Sequence, residues 1–309
     1  MGMARRSGRP IHGWLIIDKP GGLTSAAVIA IVRRLTGAAK AGHGGTLDPL
    51  ATGVLPVALG EATKTVAYVM DGAKTYVFTV RWGEKRDTDD RDGTTTAVSD
   101  VRPDADAIAA VLPRFTGPIE QVPPDYSAVK VGGRRAYALA RGDEALDLPR
   151  REGFVEDIAL IDQPDADHAT FRVSSGKGVY MRSLARDIAA ALGTFGHVSA
   201  LRRLRVGPFD EDQALSLADA REMDDKTILA QHLLPIGTAL AGVPAVSLTE
   251  AEARRLQHGQ AIASLPVASR SHADGLRRDA VIYATAAGRP VALAQIKGSE
   301  IRPLRILNV

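Results

Sequence analysis

Residues 42–64 read GHGGTLDPLATGVLPVALGEATK. The stretch is rich in glycine, nearly free of charge, and carries one carboxylate in its first half, Asp48. Gly42, Gly44, Gly45 and Gly53 bracket a Thr-Leu-Asp-Pro turn. Glycine relaxes the backbone where φ must be positive or where another chain comes close. Pro49 fixes its own φ and pushes Asp48 out of helical geometry. Asp48 therefore has few conformations open to it, and its neighbours Leu47, Leu50, Val54 and Leu55 are apolar. Turn chemistry alone reads Asp48 as a cap on the next turn of chain. The apolar flanks leave a second reading open, a carboxylate held still in a pocket.

Working outward, residues 13–18 (GWLIID) predict a buried strand, broken by Lys19-Pro20-Gly21-Gly22. Thr24 or Ser25 caps a helix over about 25–36, which Gly37 ends. Beyond Asp48, Val54–Leu59 is a second apolar run and 63–70 a short helix. Lys74–Trp82 (KTYVFTVRW) is a strand with Tyr76, Phe78 and Val80 on one face. The polar loop 84–93 fails the calcium-loop pattern, since position six from Asp87 is Asp92 and position twelve is Val98. Residues 103–113 predict a short helix. Residues 117–151 form a long Pro/Gly-rich and basic insertion of the kind that is often functional, with a helix expected over 134–141. Strands over 153–161 and 168–174 precede a helix from Tyr180 to Gly193 and a turn-to-strand segment over 194–206. A Pro/Gly-rich link places a boundary near residue 242. Beyond it, 248–258 is a helix with a Thr249/Glu252 capping box, and strands are expected at 261–267, 279–285, 290–296 and 303–308.

With 309 residues, 45% hydrophobic and 24% charged, the chain has the balance of a globular protein of one large and one small domain. It has no cysteine, which excludes disulfides, zinc-thiolate sites and thiol nucleophiles and fits a reducing, cytoplasmic setting. The N-terminus lacks the apolar core of a secretory signal, and no run of about 18 apolar residues predicts a membrane span. The formal charge of +3 says little about partners. Distribution says more: arginines cluster at 33–34, 134–135, 150–151 and 202–203.

Several chemistries fail on the residues. Gly176-Lys177 lacks the rest of a phosphate-binding loop, and neither Gly-x-Ser-x-Gly nor His-Glu-x-x-His occurs. No metal-ligand pattern is present. An aspartate nucleophile remains possible, because a carboxylate can attack electrophilic carbon. A carboxylate in an apolar pocket needs a cation nearby to stay charged, and Lys64, Arg182 and His43 are the candidates. Tyr76 and Tyr180 offer flat faces on which a base could stack.

GHGGTLDPLATGVLPVALGEATK, with GWLIIDKPGGLTS before it and KTYVFTVRWG and DTDDRDG after it, resembles the TruB family of tRNA pseudouridine synthases. GKGVYMRSLARD and LRRLRVGPF match later motifs of that family, so the resemblance covers essentially the whole chain. It implies an α+β fold, a mixed central β-sheet flanked by helices over residues 1–242 and a small β-rich PUA-like RNA-binding domain over 243–309. It implies isomerisation of uridine 55 in the T loop of tRNA to pseudouridine, without a cofactor. The nucleophile falls on Asp48. His43, Tyr76, Tyr180 and Leu201 fall on positions that bind the target nucleotide, and Arg182 and Lys64 on supporting positions. The insertion at 117–151 matches a loop that folds over the RNA, and the C-terminal match is poorer over 263–280. The arginine clusters at 150–151 and 202–203 are expected to hold phosphates, and the glycines to let RNA approach the carboxylate. A monomer with no obligate protein partner is expected. The rival reading is a non-catalytic tRNA-binding or tRNA-folding protein with a vestigial pocket. Whether Asp48 attacks C1′ or C6, or removes a ribose proton, stays open.

Overall fold

The computed structural model describes residues 8–126, 130–131, 134–135, 148–271 and 277–309. The first half comprises β1 (Gly13–Lys19), α1 (Ser25–Thr36), β2 (Ala41–His43), β3 (Thr52–Leu59), α2 (Val66–Asp71), β4 (Lys74–Trp82), β5 (Glu84–Arg86), β6 (Thr95–Val98), α3 (Ala105–Val111) and β7 (Gly117–Gln121). After a two-residue pairing of β8 (Lys130–Val131) with β9 (Arg134–Arg135) come β10 (Arg151–Asp165), β11 (His168–Ser175), α4 (Met181–Ala191), β12 (Gly196–Val206), β13 (Phe209–Asp210), β14 (Leu215–Ser216), α5 (Leu217–Glu222) and α6 (Asp225–His232). The helix expected over 134–141 begins instead as the strand β9, and its remainder lies outside the described residues.

Among the described residues, a ten-stranded mixed sheet runs in the order β14-β1-β3-β12-β4-β11-β10-β7, with β2 on β3 and β13 on β12. β3 and β12 are parallel, and β12 and β4 antiparallel. Arg203 on β12 is thereby the register partner of both Gly53 on β3 and Tyr76 on β4. β1 and β3 are apolar on both faces because both faces are covered. Leu15, Ile17, Leu55 and Val57 join α1 and α4 in one core, while Trp14, Ile16, Val54 and Ala58 join Val69, Phe209 and Ile236 in another. That double burial is why GWLII and VLPVAL lack a period of two.

The local signals act as their chemistry dictates. Thr24 accepts a hydrogen bond from the Ala27 amide to start α1, and Gly37 ends it at φ +68°. The Thr249/Glu252 capping box forms at the start of α7 (Glu250–Gln257). A second sheet joins β15 (Ala245–Ser247), β16 (Ile262–Ala263), β17 (Val281–Ala286), β18 (Arg289–Lys297) and β19 (Glu300–Ile306) in the order β15-β17-β18-β19-β16. The strand expected over 261–267 is a correction: it stops at Ala263, and α8 (Ser264–Ser271) follows. Ser269 and Ser271 each donate to a carbonyl four residues back, and Val267 is buried in the local core. Past β19 the chain returns to the large sheet, where Leu307 is fully buried in the core that holds Trp14 and Phe209. No helix among the described residues is long and apolar enough to cross a membrane.

Candidate active site

The turn that carries Asp48 is pinned from three sides. Ser25, at the start of α1, accepts from the Leu47 amide at 2.9 Å and donates to its carbonyl at 3.0 Å. Lys19, at the end of β1 and with no exposed surface, donates to the carbonyls of Ala51, Pro20 and Pro49 at 2.6, 2.9 and 3.2 Å. Burial lowers the Lys19 pKa to about 8, opposed by the Asp48 charge and aided by that of Arg203. Arg203 donates to the carbonyls of Val54, Gly45 and Thr46 at 2.8, 3.0 and 3.3 Å. Every one of these residues is distant from Asp48 in sequence. Together they remove the turn's freedom before any ligand arrives.

Asp48 faces a cavity of about 270 Å³ that is also lined by Tyr76, Tyr180, Arg182, Leu201, Arg203 and Lys74. Its carboxylate meets the Arg182 Nε at 2.9 Å. Arg182 leads α4, and its other nitrogens are fully engaged. One donates to the Thr88 carbonyl at 3.0 Å and lies 3.5 Å from Asp90, and another donates to the Tyr126 carbonyl at 2.9 Å. A buried guanidinium held this firmly presents a fixed donor to the carboxylate. Burial raises the Asp90 pKa, against the pull of Thr88 and Arg182. The start of α4 is itself held by Gln121 on β7, which accepts from the Tyr180 amide at 3.0 Å and donates to its carbonyl at 3.2 Å. Burial raises the Tyr180 phenol as well.

The structure thus brings together Asp48, Tyr76, Tyr180, Arg182 and Leu201. It places the other two named residues elsewhere. His43 ends β2 outside the cavity lining, with a buried Nδ1 that has no hydrogen-bond partner. Burial, aided by Arg203, lowers its pKa and keeps the ring neutral near pH 7. Lys64 lies outside the cavity lining: its ammonium is 2.6 Å from Glu61 and donates to the Ile306 carbonyl at 2.6 Å, so it ties down the C-terminal strand. Two other lysines line the cavity: Lys177, whose ammonium is 2.6 Å from Asp71, and Lys74, whose ammonium donates to the Gly72 and Met70 carbonyls and whose pKa burial lowers to about 8. Of the pair at 202–203, Arg203 is buried and so presents no surface for a phosphate, while Arg202 is paired with Asp18 at 3.0 Å and Glu211 at 2.6 Å. Lys19, Ser25 and Arg203 were missed as site residues. Lys19 carried a signal, a lysine directly after a buried strand; the other two carried none. Among the described residues no cluster of histidines and carboxylates could hold a metal ion.

The mixed sheet that carries the cavity is a fold shared with solved structures. The crystal structure titled a Cbf5-Nop10-Gar1 complex superposes with a TM-score of 0.73 at 27% identity, over 96% of this chain and 85% of that one. A structure of an H/ACA RNP bound to a substrate RNA containing 2′-deoxyuridine gives 0.73 at 25% identity, over 100% and 92%. Residues 33–181 match the model of the TruB family pseudouridylate synthase N-terminal domain, and 182–241 that of the tRNA pseudouridylate synthase B C-terminal domain. The tRNA pseudouridine synthase B of Rhodospirillum rubrum is 58% identical over 305 residues, covering 99% of both chains. That of Caulobacter vibrioides is 46% identical over 309 residues, covering 99% of this chain and all of its own. The chain belongs to the TruB family of pseudouridylate synthases and is an enzyme of that class.

Proposed function

We propose that the protein converts uridine 55 in the T loop of tRNA to pseudouridine, with Asp48 as nucleophile and without a cofactor. The observation that carries this reading is the Asp48–Arg182 pair at 2.9 Å in a cavity of about 270 Å³, lined by Tyr76, Tyr180 and Leu201. A space of that size takes one nucleotide, so the target must leave its stack, at a cost of roughly a few kcal/mol. Stacking on Tyr76 offsets about 1–3 kcal/mol of it. The names of the relatives, tRNA pseudouridine synthase B, support tRNA as the substrate.

The reaction is an isomerisation. The N1–C1′ bond breaks, the uracil turns, and C5 bonds to C1′; C5 then loses a proton and N1 gains one. No electron is exchanged with an outside group, so no redox cofactor is required. Asp48 attacks an electrophilic carbon of the flipped nucleotide, the bond it forms breaks again before the product leaves and so frees the carboxylate, and Arg182 holds that carboxylate aimed until the nucleotide arrives. Tyr76 relays the proton, giving its own to N1 and taking that of C5. His43, at the end of β2 and outside the cavity lining, is assigned to binding of the target nucleotide on the family resemblance. The exposed arginines 150–151 bind phosphates of the T arm, and residues 243–309 act as a PUA-like RNA-binding domain beside a catalytic domain over 1–242. The protein works as a cytoplasmic monomer.

The test is incubation with unmodified tRNA transcript, followed by chemical mapping of pseudouridine. Product at position 55, and none when that uridine is replaced by cytidine, is the expected result. Product at another position refutes the site assignment.

A further inference from the structure

Among the described residues, four that line the cavity are cations, Lys74, Lys177, Arg182 and Arg203, against one carboxylate, Asp48. Arg182 answers Asp48 at 2.9 Å, which leaves the other three without a counter-charge inside the cavity. Arg203 is buried and directs its donors to the carbonyls of Gly45, Thr46 and Val54. Lys74 is buried too, and two of its three donors go to the Met70 and Gly72 carbonyls at the end of α2. Lys177 differs from both. It stands between Gly176 and Gly178 on the turn from β11 into α4, at the rim of the cavity, with 63% of its side chain exposed. Its ammonium meets Asp71 at 2.6 Å, and Asp71 is 59% exposed and outside the cavity lining. Asp71 closes α2, where the last helix carbonyls are already negative, so local structure does not favour a carboxylate there. An exposed pair of this kind is weak and readily exchanged.

A rim lysine held by an exchangeable carboxylate, in front of buried positive charge, suits an incoming anion. A flipped nucleotide brings one, because a base drawn into the cavity carries its backbone phosphates to the rim. We propose that Lys177 binds a phosphate flanking the target uridine, and that Asp71 takes that phosphate's place in the free protein. RNA entry is then an exchange of anions. Lys177 leaves Asp71 and takes up the phosphodiester, and Asp71 returns when the product departs; no covalent bond is made or broken. An ammonium on a flexible stem is fitted to such a change of partner, since it binds phosphate as a point charge. Lys74 and Arg203 stay in place and supply positive charge behind the rim. Burial lowers the Lys74 pKa to about 8, Arg203 and Lys177 lower it further and Asp71 opposes them, so these groups act on one another across the rim.

This site rests on the isomerase reading, and binding tests it separately from activity. Dissociation constants for unmodified tRNA transcript are measured over a series of salt concentrations with the parent protein, K177M, D71N and the K177M/D71N double variant. Both side chains are exposed, so the variants are expected to fold as the parent does. K177M should weaken binding by about 3- to 10-fold at about 0.1 M salt and lower the slope of log affinity against log salt by about 0.7–1. D71N should tighten binding by about 2- to 5-fold in the parent background. In the K177M background it should change binding by less than about 1.5-fold, because the cation it frees is gone. A methylphosphonate linkage, which removes one phosphate charge, is then placed 5′ or 3′ of uridine 55, and at one of the two K177M and the parent should bind alike. An unchanged salt slope in K177M, the same D71N factor in both backgrounds, or a K177M loss that neither neutral linkage removes overturns the proposal. A parent protein that binds the transcript and makes no pseudouridine sinks the isomerase reading, whereas failure of these binding results in an active parent sinks only the phosphate site.

Discussion

Lys19→Met is the most informative perturbation of the turn beneath Asp48. Methionine fills the same volume but withdraws three hydrogen bonds, to Ala51, Pro20 and Pro49 at 2.6, 2.9 and 3.2 Å. Each orphaned buried carbonyl costs about 1–3 kcal/mol. The change also relieves a buried ammonium. Burial lowers Lys19 from 10.5 to about 8, which corresponds to a penalty of roughly 3 kcal/mol on the charged form. The two terms oppose, and the net loss of stability is expected to be about 0–6 kcal/mol. Activity should suffer more. With the backbone just after Asp48 released at Pro49 and Ala51, a displacement of about 1 Å costs on the order of 100-fold in rate. The pH dependence gives a second check. Below pH 8 both folded and unfolded chains hold the lysine proton, and the folded state bears the penalty. Between about 8 and 10.5 the unfolded chain holds a proton that the folded chain has released, so this group makes stability rise with pH in that window. K19M removes that rise. Urea unfolding at a series of pH values and single-turnover assays at saturating tRNA measure both effects. Turnover within threefold of the parent, or an unchanged pH slope, refutes the assignment of Lys19 as the anchor of the turn.

Three further outcomes follow from the same contacts. Gly53→Ala places a Cβ 2.2 Å from the Arg203 carbonyl oxygen at a φ of +97°, so it should destabilise by more than about 3 kcal/mol; a denaturant midpoint close to the parent's contradicts that packing. Leu307→Ala empties a fully buried position in the core of Trp14 and Phe209 and should cost about 2–5 kcal/mol in urea unfolding, a loss that a C-terminal segment merely tethered to the large sheet would not show. Arg182→Met should lower the single-turnover rate by roughly 1000-fold while tRNA affinity changes little, since phosphate contacts dominate binding; equal losses in both would make Arg182 an RNA ligand.

The elements were legible where local chemistry acts alone. Thr24 and Gly37 bound α1, Thr249 and Glu252 start α7, and the alternation of Tyr76, Phe78 and Val80 marks β4. The site was legible in part, and mainly through resemblance: Asp48, Tyr76, Tyr180, Arg182 and Leu201 do share one cavity. What could not be read is what depends on the path of the chain. Lys64 and Lys74 both follow apolar runs, and only the fold shows that the first faces Glu61 and Ile306 while the second faces the cavity. Arg202 and Arg203 are neighbours in an exposed-looking cluster, yet strand alternation sends one to Asp18 and buries the other, the cross-strand partner of Tyr76. The glycines were read as room for RNA. At Gly53 and Gly44 the close neighbours are instead the protein's own, the Arg203 backbone and the Val69 side chain. At those two positions glycine serves internal packing, and the packing in turn holds the Asp48 turn in place.

One comparison decides whether Asp48 in this cavity isomerises a uridine of tRNA. Unmodified tRNA transcript is incubated with the parent protein and with Asp48→Ala, and pseudouridine is mapped and quantified. Product at uridine 55 is expected with the parent and none with Asp48→Ala, although the variant still binds the tRNA to within about tenfold. Measurable turnover by Asp48→Ala contradicts that role of Asp48.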